Sequence, residues 1–164
     1  KKHNVKTTFF IGGMWANEND ELLNKIVDEG HELGNHGYYH KDSDKLSYER
    51  MKEEISITHE LIKSLTGVTM NLFAPPSGAY NNQTIQVANE LNYKTIMWSK
   101  DTIDWRDKDT NLIYSRATKN AKGGDLILMH PTKNTLQALD DIICYYENNS
   151  FNLTTVTNTL NINE

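Results

Sequence analysis

The stretch NHGYYH, Asn35 to His40, sets His36 and His40 four residues apart in a chain that has only six histidines. On a helical turn, imidazoles at i and i+4 project to the same side and can share one metal ion, for which a neutral ring nitrogen is a good ligand. Gly37 stands where a zinc protease of the His-Glu-x-x-His type carries glutamate, so that mechanism lacks its general base. A capping or surface pair in a polar loop has the same spacing, and spacing alone does not separate the two readings. His130 ends the apolar run LILMH and precedes Pro131. That puts a titratable imidazole at the rim of a dry core, where its pKa can be tuned for proton transfer; a structural histidine at a strand end is the plainer alternative.

Two further stretches carry candidate chemistry. APPSGAY, Ala74 to Tyr80, is a rigid loop that can present backbone N–H groups to a developing oxyanion, or simply turn the chain. In DTIDWR, Asp101 and Asp104 can orient a partner group while Trp105 offers a flat apolar wall to a sugar ring. A helix cap followed by a core tryptophan explains the same residues. His3, His31 and His59 read as structural, the first two flanking strands and the third inside a helical pattern.

These stretches need elements to position them. TTFFIG (7–12) is a β-branched and aromatic strand, and NDELLNKIVDEG (19–30) is a helix with Leu22, Leu23, Ile26 and Val27 on one face. HELGNH then runs as a short strand into the histidine loop. The longest helical pattern spans Leu46 to Gly67, with Met51, Ile55, Ile62 and Leu65 on one face and Gly67 as its stop. Strand and helix go on alternating: MNLFAPP, then NQTIQVANELN, KTIMWS, NLIYSRATKNA, DLILMH, TLQALDDIICYYENN and a last strand FNLTTV. Strands separated by helices pair in parallel and read as apolar runs, as LILM does, so the class is α/β in one domain over residues 1–164. Functional residues of a parallel α/β barrel sit on the loops after its strands, and NHGYYH, APPSGAY, DTIDW and MHPT all fall there.

Composition bounds the partners. The chain is 37% hydrophobic and 24% charged with a net charge of −5, which suits a globular domain and argues against nucleic acid as the main partner. No run is apolar enough to span a bilayer and no signal peptide is present; one cysteine, Cys144, excludes an internal disulfide. The abrupt start, KKHNVKTTFF, reads as that of a fragment or processed form.

The order His-x-x-x-His, a Pro-Pro-x-Gly loop, Asp-Trp and Leu-x-His resembles the polysaccharide deacetylases of the NodB-homology group, carbohydrate esterase family 4. FAPPSG, TIMWSKDTIDW and LMHPT resemble most the branch from spore-forming Gram-positive bacteria. The resemblance implies an irregular (β/α) barrel and removal of acetyl groups from an N-acetylated polysaccharide such as peptidoglycan or a chitin-like polymer. It implies His36 and His40 as ligands of zinc or another divalent metal such as cobalt, nickel or manganese, and His130 as the general acid. Asp104 would hold the catalytic side chains, Leu128 and Trp105 would line the substrate groove, and Pro76 and Ser77 would form the oxyanion loop, Ser77 standing where the family usually has tyrosine. The implied partner is an acetylated polysaccharide and the implied location is secreted or in the cell envelope.

Two departures accompany the resemblance. The family's Asp-Asp motif, which gives the base and third metal ligand, would lie upstream of residue 1, so the barrel is expected to lack its first strand and most of its first helix. An exposed edge beside TTFFIG, open to association, would follow. Asp140 and Asp141, in a late helical pattern, do not substitute for that motif, and Ala74 replaces the family's arginine. A catalytically impaired carbohydrate-binding module and a hydrolase of some other amide or ester are the alternatives to the deacetylase.

Overall fold

The computed structural model describes residues 2–161. Residues Thr8–Met97 form one compact unit, and the chain before Thr8 together with the chain from Trp98 onward forms a second. Strands in both pair in parallel, as the alternation of strand and helix requires.

In the first unit, β1 (Thr8–Ile11), β2 (Glu32–Asn35), β3 (Leu72–Phe73) and β4 (Lys94–Thr95) form a sheet in that order. Ile11 pairs with Asn35 and Asn35 with Phe73, so β2 ends between its neighbours and the histidine loop leaves the sheet there. Helices α1 (Gly13–Glu18), α2 (Asp20–Asp28), α3 (Tyr48–Thr66) and α4 (Asn82–Glu90) complete the unit. The start of α3 is set by the Ser47 side chain, which accepts from the Arg50 amide, and its end by Gly67 at φ 76°. Met51, Glu54, Ile55, Thr58 and Ile62 make its buried face, so one charged residue lies in the stripe that enters the core. Its apolar members pack with Leu23, Leu33, Phe73 and Val87.

In the second unit, β5 (Lys100–Asp101) pairs with β6 (Ile127–Leu128). Helices α5 (Thr110–Thr118) and α6 (Lys133–Asn148) pack around Ile113, Ala117, Ala138, Ile142 and Tyr146, and α7 (Val156–Thr159) follows.

Three local expectations are corrected. Helix α1 was not foreseen: it has no side-chain cap, and its first amides, of Gly13 and Met14, donate to the carbonyls of Gly37 and Tyr38. Such a tertiary cap leaves no local sequence signal. KTIMWS is not one strand: β4 stops at Thr95 and β5 begins at Lys100. The expected last strand, FNLTTV, is irregular and runs into α7, because the Thr155 hydroxyl accepts from the Asn158 amide and caps a helical turn there.

Candidate functional site

The histidine loop is held by two buried polar side chains. Asn35, fully buried, donates through Nδ2 to the Ile55 carbonyl at 2.9 Å and accepts through Oδ1 from the Gly37 amide at 2.9 Å. Glu54 reaches in from α3, and its Oε2 accepts from the amides of Tyr38 at 2.7 Å and Tyr39 at 2.8 Å. Its Oε1 pairs with Arg50 at 2.7 Å. Three loop amides, of Gly37, Tyr38 and Tyr39, are thereby pinned to the strand end and to α3. Gly37 has φ 72°, and a side chain at Gly13 would collide with the Tyr38 ring at 2.3 Å, so both glycines are required by the path of this loop.

Within that frame, His36 Nδ1 lies 2.7 Å from the Ala74 carbonyl. A carbonyl only accepts, so the proton sits on Nδ1 and the lone pair on Nε2, the arrangement of a metal-ligating histidine with its orienting partner. The His36 and His40 rings are 4.9 Å apart at an interplanar angle of 71°. The loop is a bend rather than the helical turn expected, with His40 itself at φ 54°, yet it brings the two rings together. The two rings, His36 half-buried and His40 exposed, could offer two imidazole nitrogens to a divalent ion. Removing Glu54 should cost about 2–4 kcal/mol, since two loop amides lose a charged acceptor. Urea denaturation of Glu54→Ala measures the loss, and a change below about 1 kcal/mol would show that the loop does not depend on it.

The Pro-Pro loop folds into a 3₁₀ turn over Pro76–Gly78, with Ser77 at φ 57° and Gly78 at φ 66°. Gly78 and Ala79 donate their amides back to Pro75 and Pro76 at 3.0 Å, whereas no hydrogen bond among the described residues uses the Ser77 amide. Proline has no N–H, so Ser77 is the position in this turn that can offer one to an oxyanion. Pro76 is buried and Ser77 is exposed.

In the second unit, His130 follows β6 and is clamped by Asp104. Asp104 Oδ1 lies 2.7 Å from His130 Nδ1, while Oδ2 accepts from the His130 amide at 2.6 Å and from the Thr135 hydroxyl at 2.6 Å. The carboxylate is inaccessible to solvent, whereas the His130 side chain is 41% exposed. Nδ1–H is therefore committed to Asp104, and Nε2 is the nitrogen that can carry a proton outward. Burial pushes the Asp104 carboxyl up, but the bonds from Thr135 and from the His130 amide and ring outweigh it and hold the group below its usual value. A carboxyl depressed by folding contributes stability above its unfolded pKa, near 3.9, and that contribution is lost as pH falls through the folded value. Wild-type protein should therefore lose urea resistance more steeply below about pH 4 than Asp104→Asn, and parallel acid limbs would refute this.

Trp105 is 60% exposed, and Asp109 rather than Asp104 caps α5, accepting from the amides of Asn111 and Leu112. The cap-and-core alternative is thus overturned. The Arg106 guanidinium sits 5.9 Å from the indole centroid and helps set its face. Leu128 is half-buried in β6 opposite Asp101, whose carboxylate accepts from the Ile103 amide. Ile103 has φ 53°, a strained conformation for a β-branched residue, immediately before Asp104.

Sequence reasoning missed Asn35, Glu54, Thr135 and Ile103. Glu54 alone left a signal, a charge inside the apolar stripe of an amphipathic helix. His3 bonds to Asp140 and Glu147 of α6.

Comparison with known proteins gives the family. The family described as polysaccharide deacetylase matches residues 1–96. The chain belongs to the polysaccharide deacetylase family. It is 40% identical over 96% of its length to the uncharacterised protein YlxY of Bacillus subtilis, covering 49% of that protein. It is 33% identical over 87% of its length to a peptidoglycan-N-acetylglucosamine deacetylase of Bacillus cereus, covering 54% of it. The chain thus spans about half the length of these relatives. Among solved structures it resembles a carbohydrate esterase family 4 pseudoenzyme of Bacillus anthracis, with a TM-score of 0.94 and 34% identity, covering 97% of this chain and 57% of that one. The fold is therefore the α/β fold of the carbohydrate esterase family 4 deacetylases. Asp104, Trp105, Leu128 and His130 lie outside the matched residues, so the roles proposed for them rest on geometry and on the sequence resemblance.

Proposed function

We propose that this domain serves metal-dependent removal of acetyl groups from an N-acetylated polysaccharide of the cell envelope, of the peptidoglycan or chitin-like kind. The observation that carries the reading is the buried Asp104 clamping an exposed His130, because such a pair has one use that a structural histidine does not need: an oriented, outward-facing acid. His36 and His40 would hold zinc, or cobalt, nickel or manganese, through Nε2 of His36 and a ring nitrogen of His40. Such an ion supplies a lowered water pKa and polarisation of the acetyl carbonyl.

The chain's own residues do the rest. The Ser77 amide donates to the oxygen on which charge develops, and Pro76 keeps that amide in place. Trp105 presents an apolar face to a sugar ring, and Leu128 lines the space for the acetyl methyl. His130 gives its Nε2 proton to the departing nitrogen, and Asp104 stabilises the imidazolium before transfer. The base that takes the water's proton would be an aspartate outside residues 1–164.

A second reading is favoured by one substitution: Ala74 in place of the family's arginine, in a chain that is similar to a pseudoenzyme. It keeps the sugar groove without turnover. Acetate release from N-acetylglucosamine oligomers and peptidoglycan by the full-length protein with added zinc distinguishes the two. Release supports the deacetylase, and saturable binding of the oligomers without release supports the binding module.

A further inference from the structure

Helix α6 carries Asp140, Cys144 and Glu147 at i, i+4 and i+7, a spacing that lines them along one helical face. His3 lies against that face with its side chain only 14% exposed. Its Nε2 is 2.8 Å from Asp140 Oδ1 and its Nδ1 is 3.1 Å from Glu147 Oε2. One ligand atom from each of His3, Cys144 and Glu147 lies within 4.8 Å of the other two. We infer that His3, Cys144 and Glu147 bind a divalent metal of the zinc type, with Asp140 as the carboxylate that orients His3.

The chemistry of the donors selects the ion. A thiolate, an imidazole and a carboxylate are all zinc ligands, and the sulfur disfavours calcium and magnesium, which prefer oxygen alone. Asp140 and Glu147 occupy opposite sides of the ring, so the two nitrogens divide the work. Both nitrogens face carboxylate oxygens, which only accept, so the ring carries both protons; an ion displaces the Nδ1 proton while Nε2–H stays on Asp140, which gives the carboxylate–histidine–metal pattern. Around zinc at about 2.0–2.3 Å, tetrahedral ligand atoms stand roughly 3.3–3.8 Å apart. His3 and Glu147 already stand this close, so the ligand atoms need to close by at most about 1–1.5 Å, within reach of side-chain rotation, and one coordination position remains for water. Lys2 also contacts Asp140, at 2.7 Å, but it is far more exposed than His3 and competes only for the outer carboxylate. Such a site would tie the beginning of the chain to a helix some 140 residues later, and metal binding would stabilise that docking. It shares no residue with the His36 and His40 pair and does not depend on the proposed function.

Cys144 is the chain's single cysteine, so a thiolate-to-cobalt charge-transfer band in the near ultraviolet reports this site alone. Titrating cobalt into the full chain should raise the band to saturation at one equivalent, and zinc should abolish it by displacement. The band should persist in the His36→Ala/His40→Ala variant and disappear in Cys144→Ser. Asp140→Asn should weaken cobalt binding roughly 10- to 100-fold, the usual effect of losing a histidine's orienting partner. His3→Ala and the surface substitution Glu147→Gln should each weaken it at least as much, with circular dichroism confirming an unchanged fold. Absence of the band in folded wild-type protein at excess cobalt overturns the inference. So does a band of equal affinity in His3→Ala and Glu147→Gln, which would mean that the thiol alone captures an adventitious ion.

Discussion

Alanine in place of His130 is expected to lower acetate release by the full-length protein roughly 10²- to 10⁴-fold, with little change in oligomer binding, because a general acid contributes mainly to the chemical step. His130 is both exposed and committed. Nδ1 is taken by a carboxylate that solvent does not reach, so the ring cannot rotate freely and its second nitrogen stays directed outward. Asp104→Asn should then lower turnover too, while leaving His130 in place. An asparagine neither balances the imidazolium nor satisfies Thr135 and the His130 amide in the same way. The pH–rate profile separates positioning from simple damage: Asp104→Asn should shift its limb, whereas a merely destabilised protein would lose amplitude at every pH. Equal turnover in His130→Ala and wild type would remove the acid role and leave His130 as a strand-end residue.

The elements were legible where pattern and caps agree. The α3 helix follows from its apolar spacing and Gly67, and β1 from TTFFI, because local preference and burial point the same way in both. The candidate residues were legible because their types are rare in a core and fall after strands. What sequence could not supply was the support. Asn35 and Glu54 bond to backbone 20 and 16 residues distant and Thr135 donates to a carboxylate 31 residues distant, and nothing in their immediate neighbours marks such a partner. Helix α1 stayed hidden for the same reason, its amides being capped by the carbonyls of the histidine loop. The partners of His3 were out of view because they lie on a helix near the other end of the chain. In each case the missing term is a long-range contact rather than a local propensity.

The second large effect concerns the metal of the histidine pair. Chelation, or His36→Ala, is expected to abolish acetate release, and the affinity of residues 1–164 alone for zinc at this pair is expected to be weak. Catalytic zinc usually takes three protein ligands, and here two neutral imidazoles would serve, neither of which offsets the ion's charge. The Ala74 carbonyl raises the basicity of His36 but adds no ligand, and Glu54, the buried carboxylate of this loop, is already occupied by two amides and Arg50. A further carboxylate would supply both the missing ligand and the missing charge. Zinc titration of residues 1–164 and of an upstream-extended chain bearing an Asp-Asp motif, both carrying Cys144→Ser to silence the site on α6, measures the difference. Tighter binding in the extended chain, lost again when its aspartates become alanine, is the expected result. Equal affinities would show that two imidazoles suffice, and the third-ligand argument, with the mechanism built on an external aspartate, would have to be abandoned.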